Sequence, residues 1–295
     1  MSAANKSGKQ EARQRGGASV EAPSQAALSR LSRLVRDRRQ RDATGLAVVE
    51  GPRAVDGALA SGATLEAVFA RPELVDRYAS ASAPDNHPDA TRLGIGFRER
   101  IGAIHPVSAD VLDPLADAMN PQGVLAIARF ADSPLSAAVT AVRVVVLEAV
   151  RDPGNAGAVI RSAVAAGFGA VIATEGTTDL WSPKALRGAA GLTFGPMVNR
   201  GHPTAEVLAV LGDAGHLRVR AAPDGEVRLD ELPHSDHMAL VVGNEAHGPS
   251  ADAVAGTNIA VAIPMQHPVD SLNVAVAAAV LMYAMRPDAR NLPTN

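Results

Sequence analysis

The sequence of 295 residues contains no cysteine, and only 3% of its residues are aromatic. The lack of cysteine excludes disulfide bonds and thiolate metal sites, and it fits a reducing, cytoplasmic compartment. With so few aromatic side chains, the hydrophobic cores have to be built from Ala, Val, Leu and Ile. Hydrophobic residues make up 47% of the sequence, which is enough for globular folding.

Long apolar runs are also missing. No stretch reaches the roughly 20 apolar residues that a membrane helix needs, and residues 1–24 show no secretory signal. The longest apolar run, 274–285, predicts a buried helix. No metal is expected either, since the one histidine pair in metal-like register, His234 and His237, lies in a polar loop with a single carboxylate nearby.

Charge is distributed unevenly along the chain, whose net charge is -3. Residues 1–53 carry eleven Lys and Arg against five Asp and Glu, so this part is +6 and the remainder -9. A basic front and an acidic rear are expected when one part of a molecule contacts nucleic acid phosphates. An Arg-rich helix with a solvated face explains the same pattern, so charge alone leaves both interpretations open.

The first half of the chain alternates short apolar runs with helical patterns, which predicts a small α/β or α+β domain over 25–130. Residues 1–24 are expected to form a disordered basic tail. The pattern SRLSRLVRDRRQR (29–41) predicts one helix with its leucines inward and its arginines outward. Residues 80–92 predict a surface loop, and 131–140 a linker.

The second half, 141–295, predicts an α/β domain with a mostly parallel sheet. It opens with VRVVVLEAV (142–150), an apolar run of the kind buried on both faces of such a sheet. Three polar loops follow predicted strands, within 151–163, 240–250 and 263–285. Because open parallel sheets bind ligands outside the carboxyl ends of their strands, these loops form the candidate site.

The three loops carry distinct chemistry. Asn155 is predicted to cap a helix, and Arg161 lies under two turns further along, near enough to face the same site. An ordinary turn with a solvent-facing Arg explains that loop equally well. In the second loop, Gly243 lets a ligand approach the backbone closely. In the third loop, helix capping accounts for one of the polar residues Asp270, Ser271 and Asn273, but hardly for all three. The loops lack the glycine patterns of dinucleotide and phosphate sites, which disfavours a dehydrogenase.

Together, these segments resemble the signature motifs of the SpoU-type (TrmH-like) RNA 2'-O-ribose methyltransferases of the SPOUT superfamily. The matching segments are D-P-G-N-A-G-x-x-x-R at 152–161, V-V-G-N-E-x-x-G at 241–248, and I-P-M…S-L-N-V-A-V-A at 263–277. They occur in the family's order and spacing, and the ordered set is specific where any one segment is weak.

Two further segments extend the resemblance. The block SPKALRGAAG (182–191) is similar to a family block, but it has Ala189 where the family often has Ser. Residues 31–130 resemble the family's L30e-like RNA-binding extension, notably in VVEGPRAVDGAL (48–59) and NPQGVLAIA (120–128).

The resemblance implies a catalytic α/β domain with a deep trefoil knot, S-adenosyl-L-methionine (SAM) bound within the knot, and homodimers packed through the knot region. The implied cofactor-binding residues are Thr174, Gly243, Asn244, Ile263, Ser271 and Leu272. The implied catalytic residues are Asn155, Arg161, Glu245, Ser271 and Asn273. Seven arginines are expected to bind RNA. Six belong to the basic front, namely Arg30, Arg33, Arg36, Arg38, Arg39 and Arg53, and the seventh is Arg187 in the second half of the chain.

The expected reaction is methylation of a ribose 2'-hydroxyl in structured RNA, and 23S rRNA is the expected substrate. The resemblance assigns the activating role to Arg161. A guanidinium is protonated at ordinary pH, so we expect Arg161 also to grip a substrate phosphate, while Glu245 or the phosphate tunes its proton affinity. Asn155 is expected to orient Arg161 or the ribose. A tRNA substrate, and a non-catalytic RNA-binding protein of the same fold, are the alternatives.

Overall fold

The computed structural model describes residues 19–79, 98–244 and 248–286, which form two compact units. Unit 1 holds the residues up to Phe130 together with Trp181–Phe194. Unit 2 holds Ala131–Leu180 and the residues from Gly195 onward. Most of the predicted tail, the predicted loop 80–92 and Glu245 lie outside the described residues.

The strands fall into two sheets. In chain order they are β1 (Ser19–Val20), β2 (Leu46–Glu50), β3 (Leu65–Ala70), β4 (Ile101–Pro106), β5 (Val124–Arg129), β6 (Arg143–Leu147), β7 (Ala170–Thr174), β8 (Met197–His202), β9 (Leu217–Ala221), β10 (Val227–Arg228), β11 (Met238–Val242) and β12 (Ile259–Ala262). Unit 1 has the sheet β1-β4-β3-β5-β2, and unit 2 has the sheet β10-β12-β9-β11-β6-β7-β8.

The helices alternate with these strands. In chain order they are α1 (Gln25–Arg36), α2 (Arg38–Thr44), α3 (Pro52–Ala60), α4 (Pro72–Ala79), α5 (Ala109–Leu112), α6 (Leu135–Ala138), α7 (Pro153–Ala165), α8 (Pro183–Gly188), α9 (Thr204–Asp213), α10 (Ala251–Gly256) and α11 (Val274–Ala284).

The basic front forms two helices, so the prediction of a single helix over 29–41 is wrong. The break falls at Asp37, whose carboxylate accepts a hydrogen bond from the backbone N–H of Arg39 at 2.8 Å and so caps α2. The apolar residues predicted to face inward are buried, namely Leu31, Leu34 and Val35. Arg41 is buried too, and its guanidinium donates to backbone carbonyls at the end of α1.

Unit 1 is a mixed sheet in which β5 runs antiparallel to β2 and β3, whereas β4 runs parallel to β3. The sequence-distant segment 181–194 belongs to this unit and packs closely on α3. A Cβ added to Gly191 would lie 2.0 Å from the carbonyl oxygen of Ala54, and one on Gly57 would lie 2.0 Å from that of Ala190. Two glycines therefore let the backbones of the segment and the helix touch.

Unit 2 has the parallel sheet that the sequence predicts, since every strand pairing in it is parallel. The strands β6, β7 and β11 are buried along their whole length, because helices cover both faces. Residues 131–140, predicted as a linker, contain α6, and Leu135 and Ala138 are buried in the core of unit 2.

The strand order brings the three motif loops together. The chain runs outward from β6 through β7 and β8, and β11 later returns to lie directly beside β6. The last helix, α11, packs on α7 and against β11. The loops after β6, β11 and β12 therefore share one edge of the sheet, where a ligand site is expected. No helix in the described ranges is long and apolar enough to cross a membrane.

Candidate active site

A cavity of about 580 Å³ opens in unit 2 at the carboxyl ends of β9, β11 and β12. Its apolar lining includes Val242, Val261, Ile263, Leu272, Ala277 and Leu281. Its polar lining comprises Arg151, Asp152, Asn155, Asn244, Ser271 and Asn273. Cavities of this size, with apolar walls and a few converging polar groups, are typical of small-molecule sites.

Most of the residues predicted from the motifs line this cavity. They are Asn155, Gly243, Asn244, Ile263, Ser271, Leu272 and Asn273. Thr174 and Arg161 do not line it, and Glu245 is outside the described residues.

The first loop is organised by Asp152, which begins α7 in place of the predicted cap Asn155. The Asp152 carboxylate accepts a hydrogen bond from the backbone N–H of Asn155 at 2.9 Å, and Pro153 occupies the first helical position. A carboxylate at this position satisfies an unpaired N–H, and proline suits the first turn because it has no N–H to lose. The side chain of Asn155 is thereby left to face the cavity.

The third loop joins the first through an amide pair. The side-chain N–H of Asn273 donates to the side-chain oxygen of Asn155 at 3.1 Å. The Asn273 oxygen also accepts from the backbone N–H groups of Ala275 and Val276, so Asn273 is the N-cap of α11. The helix therefore begins at Val274, where the apolar run of the sequence begins. One residue both starts the last helix and positions the first motif.

Ser271 lies in the extended segment before this cap and remains exposed. Its hydroxyl donates to the carboxylate of the neighbouring Asp270 at 3.2 Å. Ser271 lines the cavity, so its hydroxyl is available to a ligand there.

The second loop is held by Glu148, a residue that the motif analysis missed. Its carboxylate is only 3% exposed and accepts from the backbone N–H of Ser250 at 3.2 Å. Asn244 donates to the carbonyl of Ala149 at 2.9 Å, and Ala149 has a φ of 52°. The sequence signal for Glu148 is an acidic residue that directly follows the apolar run 144–147 of β6.

Gly243 sits where a side chain would not fit easily. A Cβ at this position would lie 3.2 Å from the Cα of Pro249 and 3.3 Å from a carboxylate oxygen of Glu148. The cavity wall at this point is therefore bare backbone, as the motif analysis expected of Gly243.

Arg161 and Thr174 are placed differently from the expectation. Arg161 is exposed on α7, and six residues of helix rotate it by about 240° from Asn155, so the two side chains project to different sides. Thr174 is buried at the end of β7, with its hydroxyl 3.4 Å from the carbonyl of Leu147. Within one copy of the chain, neither reaches the cavity.

In unit 1, Arg187 is engaged by acidic residues. Its guanidinium lies 2.9 Å from Glu50 and 3.1 Å from Asp117. Glu50 is buried and also accepts from the backbone N–H groups of Asp117 and Ala118. Arg187 therefore braces the loop 116–123 against β2.

The other arginines predicted to bind RNA divide into two groups. Arg30 pairs with Glu66 and Arg38 with Asp42. Those with exposed side chains and no ion-pair partner among the described residues are Arg33, Arg36, Arg39 and Arg53. Across the same residues, no group of three or more His, Asp and Glu gathers as a metal site would require.

Known proteins resemble this chain over most of its length. The SpoU rRNA Methylase family model matches residues 142–283, and the MRM3-like substrate binding domain model matches 28–126. The 23S rRNA (guanosine(2553)-2'-O)-methyltransferase RlmP of Bacillus subtilis is 32% identical over 256 residues, covering 84% of this chain and 92% of RlmP. The chain belongs to the SpoU rRNA methylase family.

Other members of the SpoU family show the same extent of likeness. The mouse mitochondrial rRNA methyltransferase 3 is 28% identical, and the match covers 88% of this chain and 72% of the mouse protein. The crystal structure of an AdoMet-bound rRNA methyltransferase from Sinorhizobium meliloti superposes with a TM-score of 0.73 and 26% identity, covering 90% of this chain and 97% of that one. The family expected from the motifs is confirmed, as is a substrate-binding α/β domain followed by a SpoU domain.

Proposed function

We propose that the protein transfers a methyl group from SAM to a ribose 2'-hydroxyl of 23S rRNA. The carrying observation is the Asn155–Asn273 amide pair on the wall of a ligand-sized cavity, in a chain of the SpoU family. The names of RlmP and of the AdoMet-bound Sinorhizobium enzyme support the same reaction and the same methyl donor.

The cavity fits SAM in size and in chemistry. Its apolar wall suits an adenine ring, and its polar rim suits a ribose and an amino acid group. At Gly243 the ligand meets backbone, because a side chain there would crowd Pro249 and Glu148. We assign cofactor binding to Gly243, Asn244, Ile263, Ser271 and Leu272. When bound, SAM supplies an electrophilic methyl group.

The residues around the amide pair have to orient the ribose. A 2'-hydroxyl reacts when it is held in near-attack geometry and its proton is drawn away. The amides of Asn155 and Asn273 offer both donors and acceptors for that hydroxyl. The guanidinium of Arg161 is a donor only, so we assign it to a phosphate beside the ribose and to charge stabilisation, with Glu245 as its expected partner.

A homodimer through α11 is part of the proposal. The helix exposes an apolar stripe formed by Val276 (51% exposed), Val280 (37%) and Tyr283 (47%). These residues stand four and three positions apart, so they share one face, while Ala278, Leu281 and Met282 on the opposite face are buried. A two-fold contact would pair this stripe with itself and cover it.

Such a dimer also accounts for the position of Arg161. The stripe on α11 adjoins α7, which carries Arg161 outward, and Ala277 and Leu281 of α11 line the cavity. We propose that a two-fold axis at the stripe brings Arg161 of each protomer to the cavity of its partner. Each catalytic centre would then combine Asn155 and Asn273 of one copy with Arg161 of the other.

The RNA substrate is assigned to rRNA in preference to tRNA. RlmP and the mouse mitochondrial enzyme, both named as rRNA methyltransferases, match this chain over its substrate-binding unit as well as its SpoU domain. The unpaired arginines of α1 and α2 supply phosphate affinity, which depends on salt and not on sequence. With rRNA as the substrate, we also propose a cytoplasmic location.

The test is transfer of labelled methyl from SAM to 23S rRNA, 16S rRNA and tRNA purified separately from a bacterium. We expect label in 23S rRNA at one position that then resists alkaline cleavage. The Asn155→Ala variant should bind SAM but transfer no label. Label only in tRNA would overturn the rRNA assignment, and a wild-type protein that neither binds SAM nor labels any RNA would overturn the enzyme.

A further inference from the structure

Among the described residues, Arg151 is the one cationic side chain that lines the cavity, and neither the motifs nor the resemblance gives it a role. It is the last residue of the loop that follows β6, directly before Asp152, the cap of α7. Its side chain is exposed, and it forms no hydrogen bond or ion pair with any residue that the structure describes.

The described acids closest along the chain, Glu148 and Asp152, do not pair with Arg151. The carboxylate of Asp152, which also lines the cavity, is committed to the start of α7 through the N–H of Asn155. The carboxylate of Glu148 is buried and turned toward the N–H of Ser250. A guanidinium therefore stands at the cavity with its donors unused.

We infer that Arg151 binds one of the two RNA phosphates that flank the methylated ribose, the other being assigned to Arg161, and this inference rests on the proposed function. Arg151 and Asn155 line the same cavity, and Asn155 is bonded to Asn273, the pair assigned to that ribose. In RNA, each ribose carries a phosphodiester on either side. A residue beside the ribose-binding amides is therefore within reach of a phosphate, and a planar guanidinium matches phosphate oxygens with two donors.

The exposure of Arg151 selects the phosphate over the carboxylate of SAM as its ligand. The walls that would enclose the adenine of SAM are apolar side chains and backbone at the strand ends, whereas Arg151 is an exposed residue of the polar rim, where RNA can reach it from solvent. A free cation at the mouth also attracts a polyanion before contact.

The experiment measures binding of purified 23S rRNA and of SAM to the full-length wild type, Arg151→Gln and Arg151→Lys between about 50 and 200 mM salt. We expect Arg151→Gln to weaken RNA binding about tenfold and to lower the slope of log K against log salt by about one. SAM affinity should not change. Arg151→Lys keeps the charge and should restore the slope, with affinity between the two.

Arg129→Gln is the matched control, because Arg129 is exposed but already paired with Glu66. An equal loss of slope in that variant would mean that removing any surface positive charge has the same effect on RNA binding, and it would overturn the assignment. Weaker SAM binding by Arg151→Gln with unchanged RNA binding would make Arg151 a cofactor ligand, which also overturns it. If wild type labels 23S rRNA and Arg151→Gln matches it in both affinities, only this inference fails.

Discussion

The side chains of Asn155 and Asn273 are joined by a 3.1 Å hydrogen bond, although 118 residues separate them in the sequence. Asn273 also caps α11, so the same amide sets the start of the last helix and the orientation of the first motif. Removing the polar side chain of Asn273 therefore acts on stability and on the site together, and the two effects have to be separated by the choice of variant.

Asn273→Ser separates them. Serine caps a helix about as well as asparagine, but its short side chain does not reach Asn155. We expect Asn273→Ser to keep the unfolding free energy of wild type and to lose methyl transfer by about a hundredfold, because the ribose is no longer oriented. Asn273→Ala should lose the same activity and about 1 kcal/mol of stability. Full activity in Asn273→Ser would remove the amide pair from the mechanism.

Gly243→Ala tests the bare backbone of the cofactor wall. The new Cβ would press on Pro249 and Glu148, so the loop has to shift, and we expect SAM binding to weaken about tenfold in calorimetry. Gly169→Ala is the control, since its Cβ would meet Ala141 at a similar 3.2 Å but away from the cavity. Equal SAM affinity in both variants would mean that the loop absorbs the methyl group without touching the ligand.

The exposed stripe of α11 predicts a dimer that one charge disrupts. We expect wild type to elute as a dimer in light-scattering chromatography and Val276→Lys as a folded monomer, because an unpaired ammonium would be buried at the contact. Val254→Lys places the same charge on an equally exposed valine of α10 and should leave the dimer intact. A wild type that runs as a monomer would contradict the prediction directly.

Subunit mixing tests whether Arg161 acts across that dimer. Arg161→Ala and Asn155→Ala are each expected to be inactive as homodimers. If each centre uses both protomers, a mixed dimer keeps one intact centre, and an equal mixture should recover about a quarter of wild-type activity. Centres contained within one protomer would survive in no mixed dimer, because each protomer carries one of the two substitutions. The mixture would then stay inactive, which would contradict the shared centre.

The local features that sequence could predict are those set by periodicity and by strand-end loops. The parallel sheet of unit 2 follows from apolar runs such as 142–150, and the inward face of α1 follows from helical spacing. The break at Asp37 was missed because an aspartate that caps the next helix looks, in a run of arginines, like one more surface charge.

The site was predicted only in part, because motif order does not give side-chain direction. Asn155 and Arg161 belong to one motif, yet helical rotation sends only Asn155 to the cavity. The motifs did not single out Glu148 and Arg151, which precede the first motif. The role of Glu148 depends on its contact with Ser250, and that of Arg151 on having no partner among the described residues. Neither relationship can be read from the sequence. The membership of 181–194 in unit 1 depends on contacts of Gly57 and Gly191, which are equally invisible there.

Acid should weaken unit 2 through His216, which is 3% exposed. Its Nε2 is 2.9 Å from the carbonyl oxygen of Ala141, while its Nδ1 is buried without a partner in the described structure. Burial lowers the pKa of His216 below its ordinary value, and the nearby His237 and Arg143 lower it further against the raising effect of that carbonyl. The folded state therefore resists taking up the proton that the unfolded chain accepts.

The sign follows from linkage. Well above about pH 6.5 the ring is neutral in both states, so His216 contributes no pH dependence to the unfolding free energy there. As the pH falls below that value, the unfolded state binds more protons, by about one for this ring, and the unfolding free energy decreases until the folded pKa is passed. Urea unfolding of wild type from pH 7 to pH 5 should show this decrease.

His216→Gln should flatten that profile, because glutamine offers an N–H to Ala141 and does not titrate in this range. His202→Gln is the control, since His202 is partly exposed and faces Glu206, and it should keep the wild-type decrease. Parallel pH profiles for wild type and His216→Gln would contradict the prediction, because the proton taken up on unfolding would then belong to another group.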